Sequence, residues 1–172
     1  MKKIIIAFVI IILFGVGYLF ITEITYSPLK LKELKMLFPS DSGSITKISS
    51  KDFIGFNMHR DIYDAYLYKL DSVYIDSTFP RIINNWENEK ISSQTIISMW
   101  KNCPIDSISK NIYGFGNTDL NFQTWKYSSL FQEEISNKEN YYSYIYQDEQ
   151  HKYFLLYNPT KKMLYYIRVN GL

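Results

Sequence analysis

Hydrophobic and polar positions change period along this chain, and each change marks a predicted element. Residues 4–21, IIIAFVIIILFGVGYLFI, run without a charge behind Met1-Lys2-Lys3 and ahead of Thr22-Glu23. As a helix this run is roughly 27 Å long, close to the thickness of a bilayer core. It therefore predicts an uncleaved transmembrane signal anchor over 4–22. The alternative is a secreted chain cleaved near Gly17, where Gly15 and Gly17 are the small residues that processing needs. Tyr18, Leu19, Phe20 and Ile21 carry the hydrophobicity past that point and favour the anchor, and no cysteine follows to allow lipoprotein processing. Lys2 and Lys3 before the run and Glu23 after it predict a cytoplasmic tail at 1–3 and an extracytoplasmic remainder. The expected protein is thus single-pass in the inner (cytoplasmic) membrane of a bacterial envelope.

Behind the anchor, 23–44 is expected to hold a juxtamembrane helix at 28–38 and a linker. Leu31, Leu34, Leu37 and Phe38 share one face of that helix between Pro28 and Pro39. A single periplasmic domain is assigned to 45–172. Strand-like runs at 52–58, 62–70 and 73–75 open it. Phe79, Ile82, Ile83 and Trp86, then Ile96, Trp100 and Cys103, fall at helical spacing and predict a helical hairpin ended by Pro104. Tyr127, Phe131 and Ile135 mark a weaker helix. Three Tyr-rich runs at 141–147, 152–157 and 163–169, separated by short polar links, predict an antiparallel meander. The expected fold class is α+β, a transmembrane helix followed by a small domain in which this meander packs against the hairpin.

Composition narrows the picture. The 172 residues are 47% apolar and 17% aromatic, ample for a folded core. The net charge of +2 comes from Lys2 and Lys3, so the remainder is balanced and lacks the basic face that nucleic-acid binding requires. No nucleic-acid partner is expected. Cys103 is the only cysteine, so no internal disulfide forms and the core must hold the domain.

Candidate chemistry is sparse. Trp100-Lys101-Asn102-Cys103-Pro104 superficially resembles an oxidoreductase motif but has no second cysteine, and Cys103 reads as a small core residue. His59 and His151 lie in separate turns without a metal-ligand pattern. A hydrolase with dispersed residues around His59 stays as a minor alternative. The pairs Glu87/Glu89 and Glu133/Glu134 read as solvated surface, and Gly114-Phe115-Gly116 as a turn. No catalytic residue, metal ligand or cofactor site is assigned. The remaining feature is tyrosine alternation: Tyr142, Tyr144, Tyr146, Tyr153, Tyr157 and Tyr165 are expected to line up as a binding face, or to be core if helices cover them. The chain therefore reads as a membrane-anchored, non-enzymatic binding module acting by protein–protein contact, either an accessory subunit of an envelope complex or an immunity-type inhibitor. The alternative is a glycan-binding module using the tyrosine face.

Overall fold

A computed structural model describes residues 2–38, 43–55, 61–71, 75, 85–87, 89–90, 93–113, 120–148 and 150–171. The N-terminal run is one helix, α1 (Lys2–Thr25), with exposed side chains such as Phe14 and Tyr18. Among the described residues, however, no helix is long and apolar enough to cross a membrane. This overturns the expected transmembrane anchor, and with it the single-pass placement in the inner membrane.

The short helix expected at 28–38 is α2 (Leu31–Leu37), where the Lys30 N–H donates to Glu33 Oε2 at 3.2 Å and so closes the first turn. Leu34, Leu37 and Phe38 are all fully buried.

The centre of the molecule is one antiparallel sheet. Its strands are β1 (Ile45–Asp52), β2 (Ile62–Leu70), β5 (Ile96–Ile97), β6 (Lys101–Asn102), β7 (Tyr141–Asp148), β8 (His151–Asn158) and β9 (Met163–Asn170). The spatial order is β1-β2-β9-β8-β7-β5, with β6 also pairing β7. A separate two-stranded ribbon is made by β3 (Asn85–Trp86) and β4 (Glu89–Lys90). The Tyr-rich runs at the C-terminus coincide with β7, β8 and β9, and 62–70 with β2. By contrast, the strand expected at 52–58 lies earlier, at 45–52, and residues 56–60, 72–74 and 76–84 fall outside the described residues.

Where it is described, the expected helical hairpin is replaced by short strands joined by turns and irregular chain. Trp86 is in β3, and Ile96 is in β5, half exposed at 51%. Trp100 and Cys103 are both buried, but on opposite faces of the sheet. Their spacing of three is one helical turn in a helix, yet in extended chain an odd spacing sends side chains to opposite sides. Ser98 breaks this edge between β5 and β6: its N–H donates to Tyr144 O, and its Oγ accepts from the Tyr144 N–H, both at 2.9 Å. The helices on this side are α3 (Ser107–Tyr113), α4 (Leu120–Gln123) and α5 (Ser128–Glu134), the last carrying the buried Phe131 expected from the 127–131–135 spacing.

Both faces of the sheet are covered, which is why its inner strands are buried almost continuously. One face carries Tyr66, Tyr68, Tyr153, Leu155, Tyr157, Leu164 and Tyr166 against α2, Trp86 and Trp100. There Phe38 stacks on Trp100 at 5.6 Å, and Trp100 Nε1 donates to the Leu37 carbonyl at 3.2 Å, satisfying one of the C-terminal carbonyls of α2. The other face carries Ala65, Leu67, Tyr142, Tyr144, Phe154, Leu156, Tyr165 and Ile167 against Phe122, Trp125, Phe131 and Ile135. Its aromatic rings meet mostly edge to face, as in Phe131–Tyr165 at 5.5 Å.

Tyr165 Oη is buried with no hydrogen-bond partner among the described residues. Such a hydroxyl carries an uncompensated desolvation cost. Tyr165→Phe should therefore raise stability, by about 1 kcal/mol. Urea unfolding checks this, and a loss of similar size would mean that the hydroxyl is bonded.

Candidate functional site

Arg168 lies in β9 on the α2 face of the sheet, within the otherwise apolar run Leu164–Val169, and its side chain is 3% exposed. A guanidinium placed there must find acceptors within the protein. Asp64, on the neighbouring strand, is its direct register partner, and it accepts from Nε at 2.8 Å and from Nη2 at 2.5 Å in a forked pair. Glu87, in the turn between β3 and β4, accepts from Nη1 at 2.6 Å. Two tyrosine hydroxyls take longer bonds at 3.4 Å, Tyr26 from Nη1 and Tyr66 from Nη2. These five bonds match the five N–H groups of a guanidinium.

Further hydrogen bonds extend the cluster. Tyr66 Oη donates to Asp64 Oδ2 at 2.8 Å, Tyr166 Oη to Glu87 Oε1 at 2.6 Å, and Trp86 Nε1 to Tyr166 Oη at 2.6 Å. The Arg168 guanidinium also lies 5.7 Å from the Tyr26 ring and 5.3 Å from the Tyr66 ring, within cation–π range. Glu87 has φ +52, in the left-handed region that primed hairpin turns use and that glycine, asparagine or aspartate usually fills. Its bonds to Arg168 and Tyr166 hold a glutamate there.

Burial pushes the carboxyl groups of Asp64 and Glu87 above their ordinary values, and Arg168 pulls back only part of that rise. Burial works against the charge on Arg168 itself. The hydrogen bonds to Asp64 and the field of both carboxylates outweigh it and hold the guanidinium ionised.

Two cavities flank the cluster and share Tyr26, which is half exposed. The larger, about 600 Å³, is lined by Tyr26, Ser50, Lys51, Asp52, Gly55, Ile62, Asp64, Tyr66 and Arg168, two acids and two bases among them. The smaller, about 130 Å³, lies between Lys30, Lys32 and Glu87. Asp52 faces Asp64 across the β1–β2 ladder. Its Oδ1 accepts from the backbone N–H groups of Ile54 and Gly55 at 2.9 Å, a turn made possible by Gly55 at φ +74.

The six tyrosines singled out from the sequence do not assemble. Tyr142, Tyr144, Tyr146 and Tyr165 belong to the Trp125 face and Tyr153 and Tyr157 to the α2 face. Tyr146 is partly buried and the other five are buried. Tyr142 Oη donates to Asp106 Oδ2 at 3.0 Å, and Asp106 in turn caps α3 by accepting the Ser109 N–H at 2.7 Å.

The remaining candidates are equally placed by structure. Cys103 follows β6, not a helix, and burial together with the nearby Glu134 charge pushes its thiol up to about 12. His151 Nδ1 lies 2.8 Å from Asp148 Oδ1 across the β7–β8 turn. His59 and 114–116 fall outside the described residues. Two acids read as surface are not: Glu87 is in the cluster, and Glu134 is 3% exposed and bonded to Asn140, Asn158 and Lys161. Among the described residues, no group of three or more His, Cys, Asp or Glu could hold a metal ion. Compared with known proteins, the chain matches no family model, no curated protein and no solved structure.

Two outcomes follow from these environments. Glu87→Gln keeps an acceptor for Arg168 and Tyr166 but removes the raised carboxyl. A group raised in the fold contributes stability at low pH that is lost as pH rises through its folded value. The variant should therefore gain on the parent as pH climbs from the ordinary glutamate range and then level off. Urea unfolding across pH measures this, and a gain on acidification would contradict it. Cys103 should resist iodoacetamide in the native chain at pH 8 and react at a rate set by unfolding. Prompt labelling at low denaturant would show the thiol to be accessible.

Proposed function

We propose that the chain is a binding module acting by protein–protein contact rather than by catalysis, with the contact centred on the cleft beside Arg168. The observation that carries this reading is the cavity of about 600 Å³ at the end of the α2 face, where Asp64 and Arg168 come to the surface of the core. Its buried charged groups are satisfied by one another, which suits a preformed recognition surface and leaves none of them free to carry a proton to or from a substrate. The cavity opens beside β1, an edge strand of the sheet. A partner can therefore press against Ser50 and Asp52 while one of its side chains enters. The half-exposed Tyr26 supplies the amphipathic aromatic surface common at interfaces. An accessory subunit and an inhibitor that occludes its target both fit such a contact.

Placing the photocrosslinker p-benzoylphenylalanine at Ser50 tests the location. A control at Thr160 sits in the β8–β9 turn at the opposite end of the sheet. In native extract, Ser50 should yield one adduct of defined mass that Thr160 does not. Equal adducts at both positions, or none at Ser50, would remove the proposal.

A further inference from the structure

Resting on that reading of the cleft, we infer that the partner contributes an extended segment, which adds as a further strand to the outer edge of β1 at Ser50 and Asp52. The parity of the ladder points there. The Phe53 N–H donates to the Tyr63 carbonyl at 2.9 Å, so the backbone polar groups of Tyr63, and with it those of Ala65 and Leu67, are directed toward β1. On the other side of β2 the Leu70 N–H donates to the Lys162 carbonyl at 2.9 Å, as the same parity requires of its even-numbered residues. Ala65 and Leu67 are the register partners of Lys51 and Ser49. The N–H and C=O of those two residues therefore belong to the β1–β2 ladder, and the groups of Ser50 and Asp52 project the opposite way. Both residues are exposed, and among the described residues no strand pairs with that edge. Each offers one N–H and one C=O, the pattern that an extended chain presents along its own edge.

The surroundings of Ser50 and Asp52 limit what can pair with them. On one side the bulge at Ile48 shifts the phase of the outward groups, and on the other the turn closed by Asp52 Oδ1 with Ile54 and Gly55 ends the strand. A straight segment therefore pairs with 49–53 alone. A second copy of β1 fits poorly in that window. Antiparallel pairing of Ser50 with Asp52 of the second copy would set Lys51 directly against Lys51, like charges on one face. A main chain needs no charge of its own to bind this edge, which suits a cleft whose lining holds two acids and two bases. Ser50 pairs with Tyr66, whose side chain belongs to the α2 face, and Asp52 shares that parity. Residues of the segment that pair with these two direct their side chains the same way, over the cavity of about 600 Å³.

Two measurements on the full-length protein test this. In hydrogen exchange followed by NMR, the Ser50 and Asp52 amides should exchange rapidly in the protein alone, while the ladder slows those of Ser49, Lys51 and Phe53. Slow exchange at Ser50 and Asp52 without a ligand would overturn the inference, and slowing that grew with protein concentration would make the occupant a second copy. Random decapeptides displayed on phage are then selected on the immobilised protein and resynthesised with single backbone N-methyl groups. Binding should fall roughly tenfold at every second methylated position of the paired stretch, and the unmethylated peptide should slow exchange at Ser50 and Asp52. Ser50→Pro removes one outward N–H, leaves the bonds to β2 in place and should weaken the same peptides by a similar factor. Peptides that protect other amides, losses without alternation, or no selected peptide would overturn the inference. Any of those results alongside an intact crosslink at Ser50 would sink this inference alone. Alternating losses without that crosslink would sink the protein-contact reading instead.

Discussion

A guanidinium inside a sheet covered on both faces is the constraint around which the rest of this molecule is arranged. Water cannot neutralise Arg168, so its acceptors must come from the protein, and they come from separate parts of the chain. Asp64 and Tyr66 are on β2, Glu87 is in the turn of the β3–β4 ribbon, and Tyr26 lies between α1 and α2. One side chain thereby ties to the sheet two segments that its ladder does not join, the β3–β4 ribbon and the stretch around Tyr26. Removing a single partner from such a cluster leaves a charge buried without compensation, at a cost of about 3–5 kcal/mol. Well-packed apolar replacements of the whole set can be as stable. What the cluster supplies is therefore mainly geometry: it holds Glu87 in a left-handed turn, sets the ribbon over Tyr166 and keeps Tyr26 against the sheet.

Period and alternation made much of this fold legible. The strands at 62–70 and in the last third show apolar runs bounded by turn residues, and α5 shows its one buried stripe. What could not be read was which face each residue takes, because that depends on register. Tyr142 is paired with Leu156, so the tyrosines at 153 and 157 necessarily point the other way. An alternation that looks like one platform along a strand is divided between two cores. The same parity explains 96–103, where spacings of four and three satisfy a helix and two strand faces equally well. The N-terminal run shows a different limit: hydropathy identified a helix, and α1 is one, but no described helix reaches the length and apolarity that a membrane span needs.

The site left a fainter trace. A lone arginine in LYYIRV and a lone aspartate in IYDAYL interrupt apolar strands, and a charge at a position that must be buried asks for a partner. That signal was available at 64 and 168. Glu87 offered nothing comparable, since an acid between Trp86 and Asn88 looks like surface, and only the ribbon turn brings it beneath Tyr166.

The character of the cleft depends on one irregularity in β1. Lys47 pairs with Tyr68, but Ser49 pairs with Leu67, so the bulge at Ile48 shifts every later residue by one. Continued without the bulge, the ladder would set Lys51 opposite Asp64 and Ser49 opposite Tyr66. A second cation would then stand beside Arg168, and the excess negative charge of the cluster would be cancelled within the chain. With the bulge, Asp52 takes that place, Ser50 joins it, and Lys51 turns to the far face. A single inserted residue in an edge strand thus leaves the Arg168 cluster closed among its own partners. It also places the exposed carboxylate of Asp52 beside the cavity.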